Sequence, residues 1–504
     1  MYAWAEKPPI KQEDTISTIV YSIPIEKEKK KKKQPQKVHI KEAKQIKKKK
    51  KDDSSDSDSD DDMLQYVISD LEEFSQLTTL HGLHFITGKD SSIARRVTWT
   101  LIVVGMMAWL VYSGIVVSVI KYFDRPINTV MSLNYVDDLK FPAITLCNYN
   151  QFRLSELDES TSTVIKLMSK STYILDPEGV NWNTVIAALR NYDSINMTSS
   201  ATRLAHQIET MLLFCSWQGV QPCDPRNFST IITDFGVCYS FNNVADDAAL
   251  RARQTGSDFG LMLRLHVQQY EYSFGENSGA GFKLLIHPQG HLPLVNSFGI
   301  SLSPGFETHI AMRKTRVFNL QEPYESNCTN EKLEHSPYTV PICDYLCKVD
   351  YIIQHCGCRD YKMPGNVRVC SPLETVQCIF PVSDDFVNKH IRCSCPTACF
   401  SETYEPAISS TFWPSEFLSN AYLPTLNLTT DYARRNFLEI RIFFEEMSFS
   451  EIRQVPAYEK SSLMSDIGGF MGLLCGMSLT TIFEFFDLLF CNFIVGWKKR
   501  PVAP

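Results

Sequence analysis

Two apolar stretches, more than three hundred residues apart, constrain this chain more than any other feature. Trp99 to Ile120 runs without one charge, and about 20 such residues at 1.5 Å rise cross a bilayer core. Ile467 to Trp497 is also long but contains Glu484 and Asp487. Arg95 and Arg96 precede the first stretch, and Lys498, Lys499 and Arg500 follow the second. That placement of basic residues predicts two spans, both termini cytoplasmic, and everything between them outside. The hydrophilic first hundred residues contain no secretory-type leader. The reading is a multi-pass plasma-membrane protein, and a soluble enzyme is excluded.

Domain limits follow from composition. Residues 1–62 form a charged cytoplasmic tail, expected to be disordered: a lysine-rich block from Lys27 to Lys51 runs into Asp52 to Asp62, where aspartates alternate with serines. The basic block suits anionic lipid, and phosphorylation would deepen the acidic one. Residues 63–96 are a pre-membrane segment, 97–121 the first transmembrane helix, 122–462 the extracellular domain, 463–497 the second helix, and 498–504 a short cytoplasmic tail. With 50 basic and 57 acidic side chains the net charge is −7, which argues against nucleic acid as a partner.

The exterior should be a mixed α+β domain. Short β-like runs include Phe141–Cys147, Gly236–Phe241 and Lys283–Ile286, and helical periodicity covers Thr202–Cys215 and Ile342–His355. Sequons at Asn196, Asn227, Asn327 and Asn427 suit a glycosylated surface. Fourteen of the 16 cysteines lie between Cys147 and Cys399, an even set suited to an oxidising space. Cys343 and Cys347 share one face of a helix, about 6 Å apart along its axis. Cys393 and Cys395 share one face of a strand at about 6.6 Å. A helix antiparallel to a strand could therefore form the rungs Cys343–Cys395 and Cys347–Cys393. Cys328, Cys356, Cys358, Cys370, Cys378 and Cys399 would extend the column, in a pairing that spacing alone leaves open. Zinc is the rival use of such clusters; an exterior location favours disulfides, and no metal is expected.

The second stretch carries the functional signal. Gly468, Gly472, Gly476, Thr480 and Glu484 recur every four residues. Small residues at that spacing permit close helix contact, so the plain reading is a helix–helix seam. The carboxylates shift the balance, because an ionisable group in hydrocarbon faces water or a partner. Neither span has a Lys or Arg within its apolar run to pair with them. Repeated around an axis, Glu484 and Asp487 become negative rings suited to cations. One or two spans cannot enclose a pore, so an oligomer is required. Cys475 and Cys491 read as unpaired small apolar residues.

These residues carry a resemblance to the degenerin/epithelial sodium channel superfamily, nearest its acid-sensing and peptide-gated branches. The matching stretches are Leu80-His-Gly-Leu83, Phe141-Pro-Ala-Ile-Thr-Leu-Cys-Asn148, Gly236-Val-Cys-Tyr-Ser-Phe-Asn242, Pro304-Gly-Phe306, the cysteine-rich segment, and Asp466-Ile-Gly-Gly469 through Gly476-Met-Ser478 to Glu484-x-x-Asp487. The resemblance covers roughly residues 77–497. It implies a trimer of identical or homologous subunits, each with two transmembrane helices and a hand-like ectodomain of β-rich palm with helical finger and thumb. It also implies amiloride block and Na+ as the permeant ion, with no cofactor.

Position by position, Gly476, Met477 and Ser478 fall on the family's Gly-x-Ser filter, where the second helix gives way to a short extended belt. Met477 departs from the usual small middle residue. His81 and Gly82 match a gating motif, Ser465 the degenerin position, and Tyr324 the thumb aromatic that meets the first span. Tyr458 and Glu459 fall in the palm-like Ala457-Tyr-Glu459. The implied bridges are Cys147–Cys238, Cys215–Cys223, Cys328–Cys399, Cys343–Cys395, Cys347–Cys393, Cys356–Cys378 and Cys358–Cys370.

The proton sensor of acid-sensing members is incomplete here. Glu271 stands alone in Gln268–Tyr272 where two adjacent acids are usual, and Ser336 follows Glu331, Glu334 and His335 at a place usually acidic. Pro126-Ile127 replaces paired histidines after the first span. The stimulus is therefore read as a small extracellular ligand such as a neuropeptide, with protons second. Other classes remain: an ATP-gated trimeric channel, a two-anchor ectoenzyme or adhesion protein, and a non-conducting regulatory subunit. The nucleotide motifs of the first and the catalytic constellation of the second are not seen.

Overall fold

The computed structural model describes residues 74–498 apart from 89, 90, 173–181, 246, 274, 276 and 335. The charged tail 1–62, His335 and residues 499–504 lie outside that set.

The Trp99–Ile120 run sits within a continuous helix, α1, from Ile93 to Phe123, reaching past the expected 97–121 at both ends. Ser92 caps it by accepting from the Arg95 amide, and Leu110–Val116 passes through one π-helical stretch. Apolar on all sides and exposed on most of them, α1 has the surface of a lipid-facing helix. It is the one described helix long and apolar enough to cross a membrane by itself.

Its immediate continuation is a strand. In the large sheet, β1 (Ile127–Tyr135), β2 (Leu212–Trp217), β3 (Leu261–His266), β4 (Phe306–Phe318), β5 (Phe400–Phe412) and β6 (Phe437–Pro456) run in the order β5-β4-β6-β3-β2. The short Gln221–Pro222 strand borders β2. The twenty-residue β6 is the axis of the sheet. β4 pairs with it in parallel along one side; on the other, β3 is antiparallel to Phe437–Ile442 and β1 to Ser448–Pro456. A second sheet orders Ile300–Leu302, Phe282–His287, Ala143–Asn148, Val237–Phe241 and Phe228–Ile232.

The core lies between these sheets. Alternation in β3 buries Leu261, Leu263 and Leu265 completely, against Ile440 and Ile442 of β6, Leu146 and Phe282 from the other sheet, and Phe141 just ahead of it. Helices over Glu159–Thr172, Trp182–Leu189 and Met197–Leu204 form a separate apolar cluster around Val164, Leu189 and Leu204. The helix α2, Val340–Cys356, is capped by Thr339, carries Pro341 in its first turn, and ends at Gly357 in left-handed conformation.

Two local expectations are corrected. Thr202–Cys215 is not one helix: helix gives way after Leu204 to a short turn of helix, Ile208–Met211, and then to β2. Leu212-Leu-Phe is apolar under either periodicity, and pairing with β3 decides for strand. Cys393 and Cys395 lie on non-strand backbone ahead of β5, not on a strand.

The second apolar stretch is broken. α3 (Lys460–Phe470) runs into a π-helical stretch, Met471–Cys475. α4 (Leu479–Lys498) follows, and the two apolar halves are bent by 74°. The stripe from Gly468 to Glu484 therefore does not continue down one straight helix.

Candidate functional site

The break is set by local chemistry. Gly476 holds φ 66, a left-handed conformation that glycine adopts without strain and that ends helices. Met477 and Ser478 continue as irregular backbone, and α4 restarts with the Thr481 hydroxyl accepting from the Ser478 amide. Ser478 is exposed and Met477 half-buried.

The segment before the first span packs into this break. The His81 amide donates to the Cys475 carbonyl at 2.9 Å, satisfying an acceptor that the ended helix leaves over. A Cβ built on Gly476 would overlap the His81 imidazole. Thr79 and Thr481 join hydroxyl to hydroxyl, and the Phe74 ring lies 5.1 Å from Phe485. Gly82, at φ 90, turns the chain beside α1; a Cβ there would stand 3.0 Å from Trp99 and Val103.

The close seam between the two spans is built from α1. A Cβ on Gly114 would come within 2.9 Å of the Phe470 Cβ, and Cys475 Sγ lies 3.4 Å from Met107 Sδ. Ser465, Gly468, Gly469 and Gly472 are exposed on another face, and a Cβ on Gly468 or Gly469 would meet nothing within 4 Å. Of the carboxylates, Asp487 is exposed, while one Glu484 oxygen is buried without a hydrogen-bond partner among the described residues.

Above the spans, aromatic rings tie the ectodomain down. The Tyr458 hydroxyl donates to Asp466 at 2.6 Å, and Lys121 lies 4.6 Å over its ring; one side chain thus meets the outer ends of α1 and α3. Arg125 stacks on Tyr122 at 5.4 Å and on Tyr324 at 5.8 Å, which brings Tyr324 to the top of α1. Glu459 is the residue before α3 and accepts from Ser461. Sequence reasoning missed Gly114, Phe470, Thr79, Lys121 and Arg125. Lys121 and Asp466, charges at the edges of apolar runs, offered the only local signal.

Seven disulfides join Cys147–Cys238, Cys215–Cys223, Cys328–Cys399, Cys343–Cys395, Cys347–Cys393, Cys356–Cys378 and Cys358–Cys370. Five of them staple α2 and its surroundings. Cys358, Cys370 and Glu374 lie close enough to hold a metal ion, but both sulfurs are spent on one bridge. Asn196, Asn227, Asn327 and Asn427 are all exposed.

The sensing candidates do not converge. Burial favours a raised Glu271 carboxyl, but hydrogen bonds from Ser155, whose amide donates at 2.9 Å, together with the charges of His206 and Arg153 hold the group below the usual carboxylate range. Glu331 and Glu334 are exposed in the loop between β4 and α2, where Glu331 lines a cavity with Lys140 and Arg316. Beside Glu271, the buried His206 makes hydrogen bonds with Gln268 at 2.7 Å and Asn150 at 2.9 Å. Burial lowers its pKa to about 4.

Known proteins resemble this chain over most of its length. Residues 74–488 match the family model described as amiloride-sensitive sodium channel. Acid-sensing ion channel 1C of Danio rerio is 32% identical over 444 residues, covering 84% of this chain and 83% of the relative. Acid-sensing ion channel 2 of Rattus norvegicus is 32% identical over 84% of this chain and 86% of its own length. Acid-sensing ion channel 1 of Gallus gallus is 31% identical over 83% of each.

Proposed function

Because the chain belongs to the amiloride-sensitive sodium channel family, we propose that it is one subunit of a trimeric, sodium-selective channel of the plasma membrane. Both termini lie in the cytoplasm, amiloride blocks the pore, and opening is driven from outside. The observation that carries this reading is the break at Gly476–Ser478. It exposes irregular backbone at membrane depth, which is tolerated only where it borders protein or water. The exposed face of Ser465, Gly468 and Gly472 would line the outer passage, and Gly476, Met477 and Ser478 its constriction. Glu484 and Asp487 would ring the inner half. The exposed Asp487 would meet a permeating cation or a neighbouring subunit, with the half-buried Glu484 behind it.

The stimulus we favour is a small extracellular ligand such as a neuropeptide. A proton sensor needs a carboxyl raised toward neutrality, whereas Glu271 is held low. Protons are the second reading, supported by the acid-sensing names of the relatives. Expression in oocytes, alone and with candidate partner subunits, tests both. Amiloride-blocked inward sodium current under acid or a panel of amidated peptides is expected; silence of a surface-expressed chain in every combination would falsify the channel reading.

A further inference from the structure

Two cavities adjoin where the second sheet, the loop before α2 and the start of β5 meet. One is about 750 Å³ and the other about 500 Å³, each within the range of small-ligand sites, about 300–1,000 Å³. Pro288, His291, Ala398, Ser401 and Glu402 belong to both walls, so the two lie side by side along a shared wall. Their chemistry differs. The smaller is lined by apolar side chains, Leu285, Leu292, Leu294, Phe298 and Ile342 among them. The larger presents Lys140, Arg316 and Lys332 against Glu331 and Glu402.

Glu402 does not supply a free negative charge. Its Oε2 takes Lys314 at 2.8 Å and Arg316 at 3.0 Å, and its Oε1 accepts from the Tyr404 hydroxyl at 2.8 Å. Lys314 behind it is 1% exposed. Three cations thus line the larger cavity with two carboxylates, one of which is also paired to Lys314 behind it, beside an apolar wall that strengthens the field. Lys332 is exposed and makes no ion pair among the described residues. His291, at the junction, is kept neutral by burial and can serve as a hydrogen-bond donor to a ligand passing between the chambers.

We propose that these chambers form a binding site for a small amphipathic carboxylate. Its charged end lies toward Arg316 and Lys332, and its apolar body fills the space between Leu294, Phe298 and Ile342. A cationic amphipath fits the apolar chamber equally well but meets the net positive charge of the other. The site stands apart from the pore and from Glu271, and goes beyond the channel reading.

The test uses the full chain in nanodiscs, with empty nanodiscs subtracted, and two probes sharing one fluorophore: dansylglycine, a carboxylate, and dansylcadaverine, an ammonium. Dansylglycine should show saturable, blue-shifted emission, displaced by naphthaleneacetate, at least tenfold tighter than dansylcadaverine. Lys332→Gln, at an exposed position, should weaken it at least threefold, and Arg316→Gln more. Equal affinity for both probes, tighter binding of the ammonium, no saturable signal, or indifference to both substitutions overturns the assignment. Because binding is read without current, its failure leaves the channel reading standing, and a silent channel leaves the site testable.

Discussion

The main-chain N–H of His81 donates to the carbonyl of Cys475 at 2.9 Å, so the residue just before the Gly82 turn toward α1 also closes the end of the helix that stops at Gly476. In an unbroken helix that carbonyl would accept from the Leu479 N–H, but the left-handed turn at Gly476 leads the chain away. Each element therefore fixes the other. A displacement of the segment before α1 must be felt at Gly476–Ser478.

Gly476→Ala places a side chain at positive φ, costing about 1–2 kcal/mol, and drives it into the His81 ring. Sodium current should fall more than tenfold while surface labelling is retained. Adding His81→Ala removes the overlap but not the backbone strain, and should restore part of the current. Normal current from Gly476→Ala alone would show that the break is not at the conduction path.

Ser465 lies on the exposed face that continues through Gly468, Gly469 and Gly472. Ser465→Phe should therefore prop the outer passage and give standing, amiloride-blockable current without stimulus. Two-electrode recording reads this directly, and an unchanged baseline removes Ser465 from the gate.

Neutralising Glu484 with Gln keeps its shape and removes the charge. Single-channel conductance for sodium should drop severalfold, and block by divalent cations from the inner side should weaken. Unaltered conductance and block would place this carboxylate in a protein seam.

The Lys314–Glu402 pair is buried, at 1% and 8% exposure. Lys314→Met leaves Glu402 with Arg316 as its remaining cation, beside the Tyr404 hydroxyl, and breaking a buried pair costs about 3–5 kcal/mol. Thermal unfolding of the purified channel should show a clearly lower midpoint, with much of the loss recovered by adding Glu402→Gln. Coincident melting curves of wild type and Lys314→Met would contradict the structural role given to this pair.

His206 is neutral when folded, with a pKa of about 4 against 6.5 when free. The unfolded chain binds the extra proton first, so stability is intact above pH 6.5, declines as pH falls from 6.5 toward 4, and levels off below that. The full loss is on the order of 3 kcal/mol. Protonation would also turn Nε2 from acceptor to donor facing the Asn150 amide. His206→Gln should flatten the acid limb of the unfolding midpoint; an identical limb would assign it to other groups, among them His266 and His287, which are also lowered to about 4.

What could be read from the chain was local. Trp99–Ile120 announces an apolar helix because no charge interrupts it, and Cys343 and Cys347 share a face of α2; both bridges form although Cys393 and Cys395 are not on the strand expected for them. The helical reading of Thr202–Cys215 failed where Leu212-Leu-Phe suits either periodicity and only β3, fifty residues on, decides. The apposition of His81 with Gly476, and of Gly114 with Phe470, joins segments that carry no mutual signal: a histidine, two glycines and a phenylalanine. Nor does alternation reveal β6 as one strand, since its partner changes from β3 to β1 midway and its register with β4 slips between Met312 and Lys314.

That change of partner has a mechanical consequence. β1 leaves α1 within a few residues, and β6 enters α3 within as few. Nine consecutive residue pairs, from Ile127 opposite Pro456 to Tyr135 opposite Ser448, lock the two strands together. The adjoining ends of α1 and α3 are consequently welded into one lever arm. They can tilt or swivel as a pair on the short joints at 124–126 and 457–459, but spreading them apart would require unzipping the ladder.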